Sequence, residues 1–195
     1  LRSTANGKMK LKNYTISGLM WKVPDYALDA EDLAPMYIVA NDSITSLLSI
    51  NNCQFINLGK SGGGRILHAK ASSGAVVKKF IFDGNIIDNF GGNTGLKTHG
   101  QTFMQWQDDT KAFEFDDITF SNNVFHNWHG NQFINNGRKK TSNPDSTITI
   151  NFVNNTLYKF GGNGTSARNF IEWANKMTGV KAATININNN LFYKN

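Results

Sequence analysis

The chain has 195 residues, 39% hydrophobic and 12% aromatic, enough for one domain with a substantial core or two very small ones. Charged residues make up only 17%; Asn, Ser, Thr and Gly supply the remaining polarity, a balance that favours strands and turns over helices. Lys and Arg outnumber Asp and Glu by 20 to 14, for a net charge of +6, which suits an acidic polysaccharide, nucleic acid or anionic membrane surface, and the single cysteine, Cys53, excludes a disulfide framework or thiolate metal site within the chain.

The opening residues, "LRSTANGKMK", lack the apolar core of a signal peptide, and no segment approaches the length of a membrane span. An exported protein of this sequence would carry its targeting segment elsewhere. Residues 1–35 read as an irregular N-terminal part with a first repeat, "NYTISGLMW", from position 13. The same phrase then returns as "LLSINNCQFINLG" from 47, "KFIFDGNIIDNFGG" from 79, "DITFSNNVFHNWHG" from 117, "ITINFVNNTLYKFGG" from 148 and "TININNNLFYKN" from 184. Its anchors are Ile16, Ile50, Phe82, Phe120, Phe152 and Ile187, spaced 32 to 38 residues apart. Two positions earlier runs a second apolar column, Tyr14, Leu48, Phe80, Ile118, Ile150 and Ile185. Five positions after the anchors runs a third, Trp21, Phe55, Ile87, Phe125, Leu157 and Phe192.

Between these phrases lies a second strand-like run: "MYIVA" from 36, "RILHA" from 65, "TFMQW" from 102, "QFINN" from 132 and "NFIEW" from 169. Each period therefore holds at least two short strands separated by Gly- and Asn-rich turns. No window sustains helical spacing of apolar residues, which rules out a helical solenoid, and a propeller blade needs four strands in a longer period. The expected fold is all-β: one domain over 1–195, a right-handed parallel β-helix (a single-stranded solenoid) of about five to six coils. Asn85, Asn123, Asn155 and Asn190 stand three positions after their anchors, with Cys53 in the second coil's place. Flanked by apolar columns, they read as an internal asparagine ladder, since Asn tolerates the left-handed backbone of a tight corner and its amide can bond the turns on either side. That placement argues against glycan binding by these asparagines and against glycosylation at Asn154 and Asn163. The phrase at 184–195 is well formed and has no polar cap, so the reading expects further domains in a longer chain.

The phrases "FSNNVFHN", "FVNNTLYK" and "INNNLFYKN" resemble the β-helix modules of unknown function in surface lipoproteins of Bacteroidota, distant relatives of the pectate-lyase and chondroitinase-B-like β-helices. The resemblance covers residues 36–195 and implies export, a secreted or outer-surface location and work on polysaccharides. "DSI" at 42–44 and "DST" at 145–147 are similar to the O-glycosylation motif of that phylum.

Polar chemistry in such a fold sits on the outer face of a stacked sheet. With Ile38, Leu67, Met104, Ile134 and Ile171 taken as inward, the next residues form a column of Val39, His68, Gln105, Asn135 and Glu172. Two positions further on come Asn41, Lys70, Gln107, Gly137 and Ala174. One position before the inward column, Tyr37, Ile66, Phe103, Phe133 and Phe170 read as an outward aromatic stripe. Polar groups beside aromatics suit sugar rings, which need hydrogen bonds and apolar contact together. The substrate-binding candidates are Gln105, Gln107, Asn135, Arg138, Trp106, Trp173 and Lys176.

A lyase acting on a uronate needs a cation or amides on the carboxylate and a base at the ring carbon. The catalytic candidates are His68, Lys70 and Glu172; Lys176 and the run Arg138, Lys139, Lys140 are further candidates for the base, although the run reads first as a solvated loop. The resemblance to chondroitinase-B-like enzymes makes Asn135 and Glu172 candidate ligands for Ca2+, although Ala174 stands where that pattern has a second Glu. A hydrolase would need paired carboxylates, and the doublets Asp108–Asp109 and Asp116–Asp117 read as turn-bordering residues. His126 and His129 lack an evident third metal ligand. Scattered basic residues argue against nucleic acid. Three functions stay open: a polysaccharide-binding or -processing module, a lyase on an acidic glycan, and a structural or adhesive β-helix.

Overall fold

The computed structural model describes residues 12–22, 36–58, 65–90, 102–106, 113–128, 132–136, 146–160, 171–173 and 180–193, and all the regular structure among them is strand. Each anchor phrase folds as two strands flanking a tight corner: β1 (Asn13–Ser17) and β2 (Met20–Lys22) in the first repeat, β3 (Met36–Asn51) and β4 (Gln54–Ile56) in the second, and β5 (Arg65–Asp83) and β6 (Ile86–Phe90) in the third. In the next three repeats the long leading strand divides. These repeats read β7 (Thr102–Trp106), β8 (Phe113–Ser121) and β9 (Val124–Trp128); β10 (Gln132–Asn136), β11 (Ser146–Val153) and β12 (Thr156–Phe160); and β13 (Ile171–Trp173), β14 (Val180–Asn188) and β15 (Leu191–Tyr193).

Every strand pairs in parallel with its counterpart one repeat away, in two sheets. The smaller, six-stranded sheet runs β15-β12-β9-β6-β4-β2. The larger, nine-stranded sheet runs β13-β10-β7-β5-β8-β11-β14, with β3 on β5 and β1 on β3. It forks at β5, whose Arg65–Ala69 portion pairs with β7 while Ala75–Asp83 pairs with β8. The chain thus builds three stacked walls: a first wing led by β7 and β10, a second wing of anchor strands, and the smaller sheet.

The corner after each anchor shows why two polar residues sit together there. Asn52, Asn122, Asn154 and Asn189 have φ of 53, 56, 56 and 54°, and Gly18 and Gly84 hold the same place at 69 and 64°. Left-handed backbone costs most L-residues about 1–2 kcal/mol, whereas Gly and Asn adopt it readily. The following asparagine turns inward and forms the ladder. Cys53 N–H donates to Asn85 Oδ1 at 2.8 Å, Asn85 N–H to Asn123 Oδ1 at 2.9 Å, Asn123 N–H to Asn155 Oδ1 at 3.0 Å and Asn155 N–H to Asn190 Oδ1 at 2.8 Å. Each Nδ2 donates back to an anchor carbonyl: Asn85 to Ile50 at 2.9 Å, Asn123 to Phe82 at 2.8 Å, Asn155 to Phe120 at 3.0 Å and Asn190 to Phe152 at 2.7 Å. Asn85, Asn123 and Asn155 are buried with these bonds made, so the corners meet the rule that buried polar groups find partners. The single residue expected to bend the chain and bridge its neighbours is in fact two residues with one task each.

A second left-handed column, absent from the sequence reading, lies near the far end of the smaller sheet: Asn57, Asn89, Asn127 and Lys159, at φ of 58, 56, 51 and 51°. The bend turns the next residue inward, so Leu58, Phe90 and Trp128 are buried, and Phe90 stacks on Trp128 at 4.3 Å between ring centroids. Its signal is the Asn-aromatic pair that closes the phrases at 79–92 and 117–130.

From the second to the fifth repeat the three apolar columns of the anchor phrases form the core as expected; in the first, Tyr14 and Trp21 pack against it partly buried, and in the sixth Ile185, Ile187 and Phe192 are exposed. The centre of the core is aromatic and draws on every wall. Phe103 and Phe133 of the first wing stack on each other at 4.8 Å and meet Phe82, Phe120 and Phe152 of the second wing and Phe125 and Trp128 of the smaller sheet.

This overturns the outward aromatic stripe: Ile66, Phe103 and Phe133 are fully buried, and Phe170 lies outside the described residues. The neighbours taken as inward, Leu67, Met104 and Ile134, are buried too. The first-wing register is corrected by two residues in the second repeat. Met36, not Ile38, pairs with Leu67, and Tyr37, not Val39, stands level with His68. Asp116 and Asp117 lie inside β8 instead of bordering a turn, and Asp116 takes a 2.6 Å ion pair from Lys78 Nζ.

Candidate functional site

The walls expose different chemistry. On the first wing, His68, Gln105, Asn135 and Glu172 keep the expected alignment, each level with the next on β5, β7, β10 and β13. His68 is 6% exposed, so its ring sits within the wall and not on an open surface. The strands place Lys70, Gln105, Trp106, Asn135, Glu172 and Trp173, but their side chains lie outside what is described; Gln107, Arg138, Lys139, Lys140, Lys176, Asp108, Asp109 and His129 lie outside the described residues altogether. Asn135 and Glu172 would offer calcium fewer than the six or more oxygens it takes, and position 174 is Ala. The residues do not make a calcium site by themselves. Among the described residues no group of three or more His, Cys, Asp or Glu could hold a metal.

The outer face of the second wing is polar but bonded to itself. Asp83 Oδ1 accepts from Ser121 Oγ at 2.6 Å and Asn122 Nδ2 at 2.8 Å. Asp117 Oδ1 accepts from Asn151 Nδ2 at 3.3 Å, and Asn151 Oδ1 accepts from Asn186 Nδ2 at 2.8 Å. These bonds tie successive repeats together and engage the groups a ligand would need.

The smaller sheet differs. Its strands are three to five residues long, so each presents two main outward positions to solvent. The first forms a mostly apolar column of Met20, Gln54, Ile86, Val124, Thr156 and Leu191, with Met20, Ile86, Val124 and Leu191 exposed. The second column reads Lys22, Ile56, Asp88, His126, Tyr158 and Tyr193.

Within that column His126 Nδ1 stands 2.8 Å from Asp88 Oδ1, with side chains 40% and 39% exposed. A carboxylate only accepts, so this contact is a hydrogen bond when Nδ1 carries a proton, and Asn127 Nδ2 lies 3.1 Å from the same ring nitrogen. Asn127 Nδ2 donates to the same Asp88 oxygen at 3.2 Å from its left-handed position within β9. The imidazole stacks on Tyr158 at 4.9 Å, and Tyr158 on Tyr193 at 5.3 Å with ring planes 7° apart. Lys159 Nζ lies 5.4 Å from the Tyr158 ring centre, a cation–π contact at an exposed site. Stacked this way, the rings cover one another's faces. The sequence reading set His126 aside as a metal ligand and did not consider Asp88, Tyr158 or Tyr193; they are 32 to 38 residues apart and meet only when the repeats stack.

No helix among the described residues is long and apolar enough to cross a membrane. Comparison of the chain with protein-family models, characterised proteins and solved structures finds no match.

Proposed function

We propose that the three walls close into a right-handed parallel β-helix of about five to six coils, and that this helix is an exported polysaccharide-binding module of the kind borne by Bacteroidota surface lipoproteins. One observation carries the binding reading. The open face of the smaller sheet sets a polar, ring-bearing column beside an apolar one, and both run across successive repeats. A pyranose needs that pairing, because its hydroxyls seek hydrogen bonds while its C–H faces seek apolar contact. The resemblance in the repeat phrases supports the same class of ligand and the outer-surface location.

A second reading is a lyase acting on an acidic glycan. It is favoured by the Asp88–His126 pair, which sets an imidazole against a carboxylate on an exposed face. A structural or adhesive β-helix is the third. The test is the purified protein against acidic and neutral polysaccharides, with and without calcium, following gel retardation for binding and ultraviolet absorbance for unsaturated products. Retardation without products supports the module. Products lost in His126→Ala or Glu172→Ala select the lyase and say which wall carries it. No retardation and no product leaves the scaffold.

A further inference from the structure

The two ends of the stack differ. Among the described residues the strands of the sixth repeat, β13, β14 and β15, pair on one side only, with β10, β11 and β12. The residues that continue the buried columns are open there: Ile185 is 44% and Ile187 48% exposed, whereas Ile16, the counterpart of Ile187 in the first repeat, is buried at 9%. Such an edge is a template for pairing, and folded chains usually blunt it with proline or charge. β14 reads VKAATININ, with one lysine near its start and no proline.

The ladder is open at the same end. Cys53, Asn85, Asn123 and Asn155 each donate their backbone N–H to the asparagine Oδ1 of the next repeat, whose Nδ2 donates back to the preceding anchor carbonyl. Among the described residues no such Oδ1 meets the Asn190 N–H, and no such Nδ2 meets the Ile187 carbonyl. We propose that this end binds a polypeptide segment bearing the same repeat phrase, which adds a further strand to β14 and to β15 in parallel register. Its apolar anchors cover Ile185 and Ile187, and an asparagine three positions after the second anchor takes the next rung of the ladder. The new contact continues the one that β11 and β12 already make with β14 and β15. A second copy of the chain fits less well. Stacked head to tail it would bring Leu19 to the ladder position, and its Ile16 is already buried. Turned end for end, its strands would run antiparallel to β14 and β15, and the ladder is built between parallel corners.

The test is a fluorescently labelled peptide copying residues 146–160, STITINFVNNTLYKF, titrated with the intact chain and followed by anisotropy and amide hydrogen exchange. One peptide should bind per chain and slow exchange in β14, in β15 and at Asn190. A peptide carrying Asn155→Leu should bind about tenfold more weakly, because the Asn190 N–H and the Ile187 carbonyl then lose their partner. Ile187→Lys in the chain sets a charge in the open apolar column and should also weaken binding about tenfold at an unchanged thermal midpoint. No saturable binding overturns the proposal, and so does binding that ignores the peptide substitution. Self-association of the chain alone that protects the same amides overturns it too, and makes a second copy the occupant.

Discussion

Asn155 accepts the backbone N–H of Asn123 on its Oδ1 at 3.0 Å and returns its own Nδ2 to the carbonyl of Phe120 at 3.0 Å, so one buried amide closes the corner of a neighbouring repeat on both sides. The same two-way bond recurs at Asn85, Asn123 and Asn190, always in the same direction along the stack.

Breaking one rung should therefore be costly. Asn123→Ala strands the Asn85 backbone N–H and the Phe82 carbonyl in the core, and each buried group left unmade costs about 1–3 kcal/mol. The expected loss is about 2–5 kcal/mol in denaturant-induced unfolding. A loss below about 0.5 kcal/mol would mean that the ladder contributes little to stability.

Cys53 occupies the ladder's other end but performs the task poorly: its Sγ is 3.3 Å from the Asn51 carbonyl and 3.9 Å from that of Ile16. An asparagine there should reach the Ile16 carbonyl as its counterparts reach theirs. Cys53→Asn is expected to stabilise the fold by about 0.5–1.5 kcal/mol, the net value of a hydrogen bond gained. A lowered thermal midpoint would show that the first repeat cannot accommodate the larger side chain.

Two corner glycines should respond differently to the same change. Both have left-handed φ, so alanine costs about 1–2 kcal/mol at either. At Gly18 the added methyl meets nothing within 4 Å, whereas at Gly84 it would sit 2.6 Å from Asn52 Oδ1 and push that side chain away. Gly84→Ala should therefore unfold at lower denaturant than Gly18→Ala; equal midpoints would mean that Asn52 swings clear without cost.

Phe103 touches all three walls, and Phe103→Ala should cost about 3–5 kcal/mol, the usual range for emptying a packed aromatic site. His126→Ala should cost about 1 kcal/mol or less, because the Asp88–His126 pair is more than a third exposed. Comparing the two melts separates the core from the proposed binding face. A His126→Ala loss as large as that of Phe103→Ala would make the ring column a structural element instead of a ligand site.

The anchor phrases were legible because most of their strands alternate. In "ITINF" one face is apolar and the other polar, so the inward residues and the ladder asparagine can be counted directly. The first wing offers no such alternation: Ile66–Leu67, Phe103–Met104 and Phe133–Ile134 are apolar pairs, and both members of each are buried. Nothing in the sequence marks which member faces the core, so the outward stripe was misassigned and the second repeat was set two residues out of register.

By itself, the sequence determined the repeat, its parallel stacking, the apolar columns and the asparagine ladder, because each is a local pattern copied at near-constant spacing. The assembly of Asp88, His126, Tyr158 and Tyr193 into one outward column was decided only by tertiary structure. Hydrogen bonding between parallel strands brings residues far apart in the chain to one strand spacing, and only the register at which it does so selects which side chains meet.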